Sequence, residues 1–314
     1  MDGKAEEALQ GCVAVALAGA AGRLEVREAL LKKLLQEGSE HDYVRKSAAE
    51  ALAEATGHKD VRVALLRIFL DDSVNFEVRG HCADALARAV NHLEVRNALL
   101  TTLLDSNANR YIRWRAAGAL AGAVGQVDVR EALLKSMLSS GESGDIRRSA
   151  AEALAGAIGG ADVIRALLTT LCGGETNSND AQIGAAVALA GAANQAEVRE
   201  ALLNELLSET AHDYLRKCAA DSLAAATDRL EVREALVQVL LDGAARDDIR
   251  QSAASALARA AGELAVRKAL RETLLDGKAN DYLRNCAADA LAGCARAVRL
   301  MQPLATAARG DPLG

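Results

Sequence analysis

Residues 232–265 read VREALVQVLLDGAARDDIRQSAASALARAAGELA, and versions of this stretch recur along the whole chain. Val232, Ala235, Leu236, Val239 and Leu240 fall at i, i+3, i+4, i+7 and i+8, one stripe of an α-helix, here called helix A. Leu241-Asp242-Gly243 closes it. Ile249, Ala253, Ala256, Leu257 and Ala260 return to helical spacing and give helix B. One such hairpin cannot bury its own apolar face, so self-similarity at a fixed period predicts stacked neighbours. Alanine dominates helix B, which lets helices approach closely at little cost in side-chain entropy.

Helix A units start at Val26, Val61, Val95, Val129, Val163, Val198, Val232 and Val266, in steps of 34 or 35 residues. Helix B units start near Leu9, Val44, Val78, Ile112, Ile146, Ala181, Leu215, Ile249 and Leu283. The stops after helix B are Gly22, Gly57, Asn91, Gly125, Gly159, Asn194, Asp228 and Gly262. All are types that tolerate a left-handed helix stop, which is the conformation expected there. Glu25, Asp60, Glu94, Asp128, Asp162, Glu197 and Glu231 precede helix A and complement the positive end of its dipole. The pattern predicts an all-α fold, an α-solenoid (superhelix) of about eight hairpins with half-repeats at both ends, as a single array over 1–314. Residues 1–22 read as a helix B without its helix A, an N-terminal half-repeat or cap. Residues 292–314 read as a capping helix and tail. A start in mid-repeat fits a cap or a piece of a longer repeat array.

Net charge is −6, with 25% charged residues of both signs. A nucleic-acid binder or an anionic-membrane binder calls for a basic footprint, so neither is expected. None of the six cysteines forms C-x-x-C, and all read as small core thiols of a reducing, cytoplasmic compartment. The five histidines are scattered and no HExxH occurs, so no metal site is expected. No Walker A motif, flagged nucleophile or cofactor signature is present, which points away from an enzyme.

The helix B pattern V/I-R-x-x-A-A-x-A-L-A is carried by Val44-Arg45 with Ala48-Ala49 and Ala51-Leu52, and by the counterparts of Arg45 at Arg79, Arg113, Arg147, Arg216, Arg250 and Arg284. It resembles HEAT repeats, and among them the short alanine-rich repeats of phycobilisome-lyase-type proteins. The resemblance implies that helix B lines a concave face and that the repeated arginine ties neighbouring units through acids in the loops. It also implies a choice of roles: scaffold or adaptor, lyase acting on a bound chromophore, or nucleic-acid binder. A lyase needs a pocket with a convergent acid or cysteine, and spacing shows none. A nucleic-acid binder needs a continuous basic face, and the helix B slots alternate in sign. The expected function is therefore non-catalytic: a protein-protein interaction scaffold, or the recognition domain of a larger protein. The helix B arginines read as a structural ladder rather than an anion-binding stripe. The helix A arginines, Arg27, Arg62, Arg96, Arg130, Arg199, Arg233 and Arg267, read the same way.

The slots two, six and ten residues after the start of helix B should face outward. Most are charged or polar, as in Lys46, Glu50 and Glu54. One repeat instead has Trp114, Gly118 and Gly122, and another has Ile183, Val187 and Gly191. Trp114 is the only tryptophan, and the two glycines beside it should leave open space. Tryptophan and arginine are favoured interface anchors. The predicted partner site is Trp114, Arg115 and Arg148, extending to Ile183 and Val187. The alternative is that Trp114 packs over the neighbouring repeat and that Ile183 and Val187 mark a shifted helix. Ala181-Gln182 stands where other repeats have Val/Ile-Arg.

Overall fold

The computed structural model describes residues 2–36, 38, 41–173 and 179–293. Its helices are α1 (Asp2–Ala16), α2 (Leu24–Leu34), α3 (Asp42–Leu52), α4 (Lys59–Leu70), α5 (Phe76–Leu86), α6 (Leu93–Leu104), α7 (Arg110–Ala119), α8 (Val127–Leu138), α9 (Gly144–Ala153) and α10 (Ala161–Leu171). They continue as α11 (Asn179–Leu189), α12 (Ala196–Leu207), α13 (Asp213–Leu223), α14 (Leu230–Leu241), α15 (Asp247–Leu257), α16 (Leu264–Leu275) and α17 (281–293). The even-numbered members from α2 onward are the A helices and the odd-numbered ones the B helices. The chain divides into two compact units, Met1–Ala166 and Leu167–Gly314. In the first, α1, α3, α5, α7 and α9 pack side by side, with α2, α4, α6 and α8 as the second layer. In the second, α11, α13 and α15 form one layer and α12, α14 and α16 the other.

The B layers are the tight ones. Ala48, Ala49, Ala83, Ala116, Ala117, Ala150 and Ala151 are fully buried, as are Ala185, Ala186, Ala219, Ala220, Ala253 and Ala254. Paired alanines without a long side chain let each B helix lie against its neighbour. Larger side chains such as Leu65, Phe69, Leu99, Leu133 and Met137 fill the seam between the layers. Each fully buried leucine there contributes roughly 1.5–3 kcal/mol.

The stops after helix B depart from the expected left-handed conformation. Among the described residues only Gly38 has a positive φ. Each B helix from α1 to α15 instead tightens into a 3-10 turn, as at Ala53–Ala55 and Ala87–Ala89. The turn is closed by His58 N–H to Ala55 O at 2.9 Å, and by equivalent bonds from His92, Gln126, Gln195, Arg229 and Glu263. These short-range bonds consume the last carbonyls, so no residue has to turn left-handed. A Cβ added at Gly22, Gly57, Gly125, Gly159 or Gly262 would meet nothing within 4 Å, which is why Asn and Asp serve equally well.

The helix B arginines are spent inside their own hairpins. Arg45 Nε donates to Leu34 O at 3.1 Å, Arg79 to Phe69 O at 2.9 Å, Arg113 to Leu103 O at 3.0 Å and Arg147 to Met137 O at 2.8 Å. Arg216 and Arg250 bond Leu206 O and Leu240 O in the same way. Every acceptor is at or next to the last residue of helix A, where carbonyls have no partner within the helix. Gln182 fills the arginine slot and makes the same bond, Nε2 to Leu171 O at 3.0 Å. The expected tie between neighbouring units through loop acids is therefore secondary. Arg45 and Arg79 pair with Asp42 and Asp72 of their own hairpins, whereas Arg113 reaches Glu142 and Arg250 lies 3.8 Å from Asp276, each in the next hairpin. Arg284 pairs with Asp281. Asp71, Asp105, Asp242 and Asp276 at the ends of helix A accept a backbone N–H two residues on and so shape the connecting turn.

The helix A arginines link repeat to repeat. Arg27 Nε donates to Asp60 at 3.0 Å, Arg62 Nε to Glu94 at 3.1 Å and Arg199 Nε to Glu231 at 2.8 Å. Arg96–Asp128 and Arg130–Asp162 continue the series more loosely, at 3.5 and 3.9 Å. The same guanidinium groups hold the preceding turn: Arg62 Nη1 donates to Thr56 O and Gly57 O, and Arg199 Nη1 to Asn194 O.

α1 begins at Asp2, earlier than the helix expected from residue 9, and packs along α3. Gly11 lies on the side of α1 that faces α3. It is buried, and the ring of Tyr43 lies where its Cβ would be. The expected polar loop at 173–180 falls mostly, and the expected C-terminal cap at 292–314 almost wholly, outside the described residues. Cys82 and Cys218 are core thiols, but Cys12 and Cys172 are exposed, against expectation. Burial pushes the Cys82 thiol up to about 12.

Two outcomes are expected. Arg62→Ala should cost about 1–3 kcal/mol at neutral pH, because Thr56 O loses its only side-chain donor inside the core. The N–H at the start of its own helix and the Arg62 bond hold the Glu94 carboxyl below its ordinary 4.5. Its share of stability is therefore present above that value and lost as pH falls through the depressed one. Denaturant titrations across pH should show the gap narrowing in acid by the Glu94 share while the Thr56 share remains; a gap of constant size would mean that Glu94 takes no part. Separately, iodoacetamide at mild alkaline pH should label Cys12 and spare Cys82 until the protein is unfolded, as read by peptide mass mapping.

Candidate partner-binding site

The first unit carries an aromatic cluster that the composition would not suggest. Phe76 is the first residue of α5, whose N-terminus is capped by Asn75 accepting from Glu77 N–H at 2.8 Å. Tyr111 is the second residue of α7, capped by Asn109 accepting from Tyr111 N–H at 2.9 Å. The caps fix where these helices begin and so where the two rings stand. Phe76 and Tyr111 meet edge to face at 5.4 Å, and Tyr111 and Trp114 meet tilted at 5.4 Å. The one tryptophan, one of two phenylalanines and one of four tyrosines thus converge on one spot.

Gly80 makes this possible. A Cβ there would lie 2.5 Å from Tyr111 Cε1, so only glycine lets the ring lie across α5. Tyr111 Oη then accepts from Arg115 Nε at 3.0 Å and from Nη2 at 2.7 Å, while Arg115 Nη1 donates to Asp84 at 2.7 Å. The Arg115 guanidinium also sits 4.7 Å from the Trp114 ring centroid and 5.0 Å from that of Tyr111. Arg115 is therefore occupied in holding the aromatic rings in place, which differs from its expected part as a contact residue. Burial raises the Asp84 carboxyl above its ordinary value, and Arg115 beside it opposes that rise.

The rings line an open cleft of about 760 Å³ together with Arg110, Asp145, Arg148 and Glu152. Its charges are already matched. Arg110 pairs with Asp145, and Arg148 Nε donates to Glu152 at 2.8 Å. Nearby helix B slots pair across repeats as well, Lys46 with Glu77, Glu50 with His81 and Glu54 with Arg88. What the cleft offers is a half-buried tryptophan, a Phe76 that is 46% exposed, and a rim of neutralised ion pairs. The Trp114 carbonyl is held from the next repeat by Ser149 Oγ at 3.2 Å.

Other expected features change. The glycines beside Trp114 do not leave empty room: added Cβ atoms would lie 3.4 Å from Ser149 Oγ at Gly118 and 3.1 Å from Val90 at Gly122. Trp114 and Arg148 line the same cleft. Ile183, in the second unit, is only 3% exposed and offers no contact surface, while Val187 is 40% exposed. A lysine or arginine at that slot lays its stem along the neighbour and reaches water with its head; isoleucine has no head, and all of it lies in the seam.

Gly80→Ala should displace Tyr111 at a cost of about 1–3 kcal/mol, since the ring is caught between the new methyl group and Arg115. Trp114 is the only indole, so its fluorescence reports the cleft directly. A red shift with unchanged far-ultraviolet dichroism is expected, and an unaltered emission maximum would remove the role given to Gly80.

Residues 63–155 match the family described as HEAT repeats. No curated protein sequence matches the chain. Among solved structures, the E. coli protein YibA is similar at 20% identity and a TM-score of 0.52, covering 88% of this chain and 95% of its own. Kap121p bound to RanGTP is similar at 15% identity and a TM-score of 0.54, covering 99% of this chain and 39% of its own. The CpcE and CpcF complex of phycocyanin lyase from a Nostoc species is similar at 19% identity, covering 78% of this chain and 92% of its own, with a TM-score of 0.48. These likenesses concern the fold. Residues 63–155 therefore carry HEAT repeats, and hairpins of the same helix lengths and arginine bonds continue on both sides of that segment.

Proposed function

We propose that the chain is a non-catalytic scaffold or adaptor that binds another protein on the helix B face of its first unit, at the cleft around Trp114 and Arg148. The observation behind this is the Phe76–Tyr111–Trp114 cluster, with Phe76 exposed and the other two rings half-buried, bounded by ion pairs that are already satisfied. An apolar partner side chain entering there would bury aromatic surface without stranding a charge. The cleft residues are held by helix caps, by Arg115 and by Ser149, so little ordering is left to oppose binding. Protein binding is also the general use of HEAT arrays, and Kap121p was solved with RanGTP bound.

Among the described residues no three His, Cys, Asp or Glu side chains stand together as a metal site, and no helix is long and apolar enough to cross a membrane. The buried thiols of Cys82 and Cys218 suit a reducing, cytoplasmic setting.

The test is an affinity capture from source lysate with wild type beside Trp114→Ala, after matching the two for helicity and melting. A specific protein should be held by wild type and lose at least about 30-fold in affinity for the variant, the size expected of a tryptophan anchor. Equal retention would move the site away from Trp114. Recovery of a bound small molecule and no protein would favour the lyase-like role instead.

A further inference from the structure

The helix A series of arginine–carboxylate links has a gap in the second unit. Arg199 bonds Asn194 O through Nη1 and Glu231 through Nε. One repeat later Arg233 holds its own turn in the same way, Nη1 donating to Thr227 O at 3.0 Å and to Asp228 O at 2.8 Å. The acid should lie 32 residues on, as Glu94 does from Arg62 and Glu231 from Arg199. That position is Ala265, the second residue of α16. Every earlier A helix has an acid in its first turn, and α16 has none. Arg233 Nε has no hydrogen-bond partner among the described residues.

A cavity of about 790 Å³ opens at this point, lined by Asn194, Asp228, Arg229, Arg233, Arg259 and Glu263 among others. Its size is within the range of about 300–1,000 Å³ usual for small-ligand sites. Arg229 is paired with Asp228 at 3.4 Å. Arg259, at the end of helix B, makes no hydrogen bond or ion pair among the described residues, and neither does the Glu263 side chain. Two guanidinium groups therefore face a space that the preceding repeat fills with a carboxylate, and one acid, Glu263, partly opposes them.

We propose that this cavity binds a carboxylate supplied by another molecule, held by Arg233 Nε and the Arg259 guanidinium in place of the acid that Ala265 does not provide. A guanidinium offers its donors in a planar fork that matches a carboxylate, and the intact links of the neighbouring repeats demonstrate the geometry in this fold. The carboxylate can belong to a free dicarboxylic acid or to an acidic side chain of a peptide. The site is separate from the Trp114 reading and stands without it.

Arginine Nε–H resonances of the full chain are followed by NMR during titration with glutarate, and separately with the blocked tripeptide acetyl-Gly-Glu-Gly-amide, at constant ionic strength with chloride as the control. A saturable shift of Arg233 Nε–H is expected, with a dissociation constant on the order of 1 mM. Saturation by glutarate alone identifies a free acid, and saturation by the peptide identifies a protein side chain. Ala265→Glu removes no contact and installs the missing acid in the same chain; it should raise the melting temperature and abolish the shift. Arg259→Ala should weaken binding several-fold, and Glu263→Gln should tighten it. Unchanged affinity in Ala265→Glu, or shifts that follow ionic strength whatever the anion, would overturn the proposal.

Discussion

A helix ends in carbonyls that nothing within it can bond, and here a side chain from the companion helix answers that need in each hairpin from α2–α3 to α14–α15. Arg45, Arg79, Arg113, Arg147, Arg216 and Arg250 all donate to the last turn of helix A. An unanswered carbonyl in the buried seam would cost about 1–3 kcal/mol, and the need recurs from hairpin to hairpin. Gln182 shows what the requirement is: a donor of adequate reach, with or without charge. Because this bond sets helix B against helix A inside each unit, the outward face of helix B is displayed on a fixed frame. The cleft around Trp114 inherits that rigidity.

Between repeats the constraint is one of matched volumes and charges. The slot two residues into one B helix faces the residue just before the start of the next. Gly11 meets Tyr43, Lys46 meets Glu77 and Gly80 meets Tyr111. Small is set against large, and cation against anion. Trp114 breaks the series, since the next residue in line, Asp145, is taken by Arg110. The indole is left to the cleft.

The helices, their period and their number were legible because apolar residues at 3.6-residue spacing leave little else to build, and alanine pairs mark the close-packed layer. The helix stop at Gly22, Gly57 and their counterparts differs from what the residue type implies. Glycine suggests a left-handed residue, but Asn91, Asn194 and Asp228 reach the same turn with negative φ through 3-10 bonding. At the cleft, Trp114 and Arg148 stood out by composition. Phe76 and Tyr111 did not, because they lie ahead of the helical stripe in segments that read as polar loops. The signal was present all the same: a glycine in the facing slot, at Gly80 and Gly11, is followed one repeat later by tyrosine. The slot of Ile183 implies a surface position, but the slot is exposed only for side chains that carry a polar head out of the seam.

Regularity also explains where function can reside. In a stacked array each repeat is stabilised by itself and by its nearest neighbours, so a departure at one slot is a local cost that the rest of the array carries. A slot that follows the rule is filled by its neighbour's complement and has nothing left to offer another molecule. The Lys46–Glu77 and Arg199–Glu231 pairs are of that kind. Chemistry becomes available where the complement is missing: an indole whose facing acid is engaged elsewhere, and an arginine whose facing acid is an alanine. Both proposed sites are defined by the repeat they break, and the intact repeats supply the geometry by which each can be read.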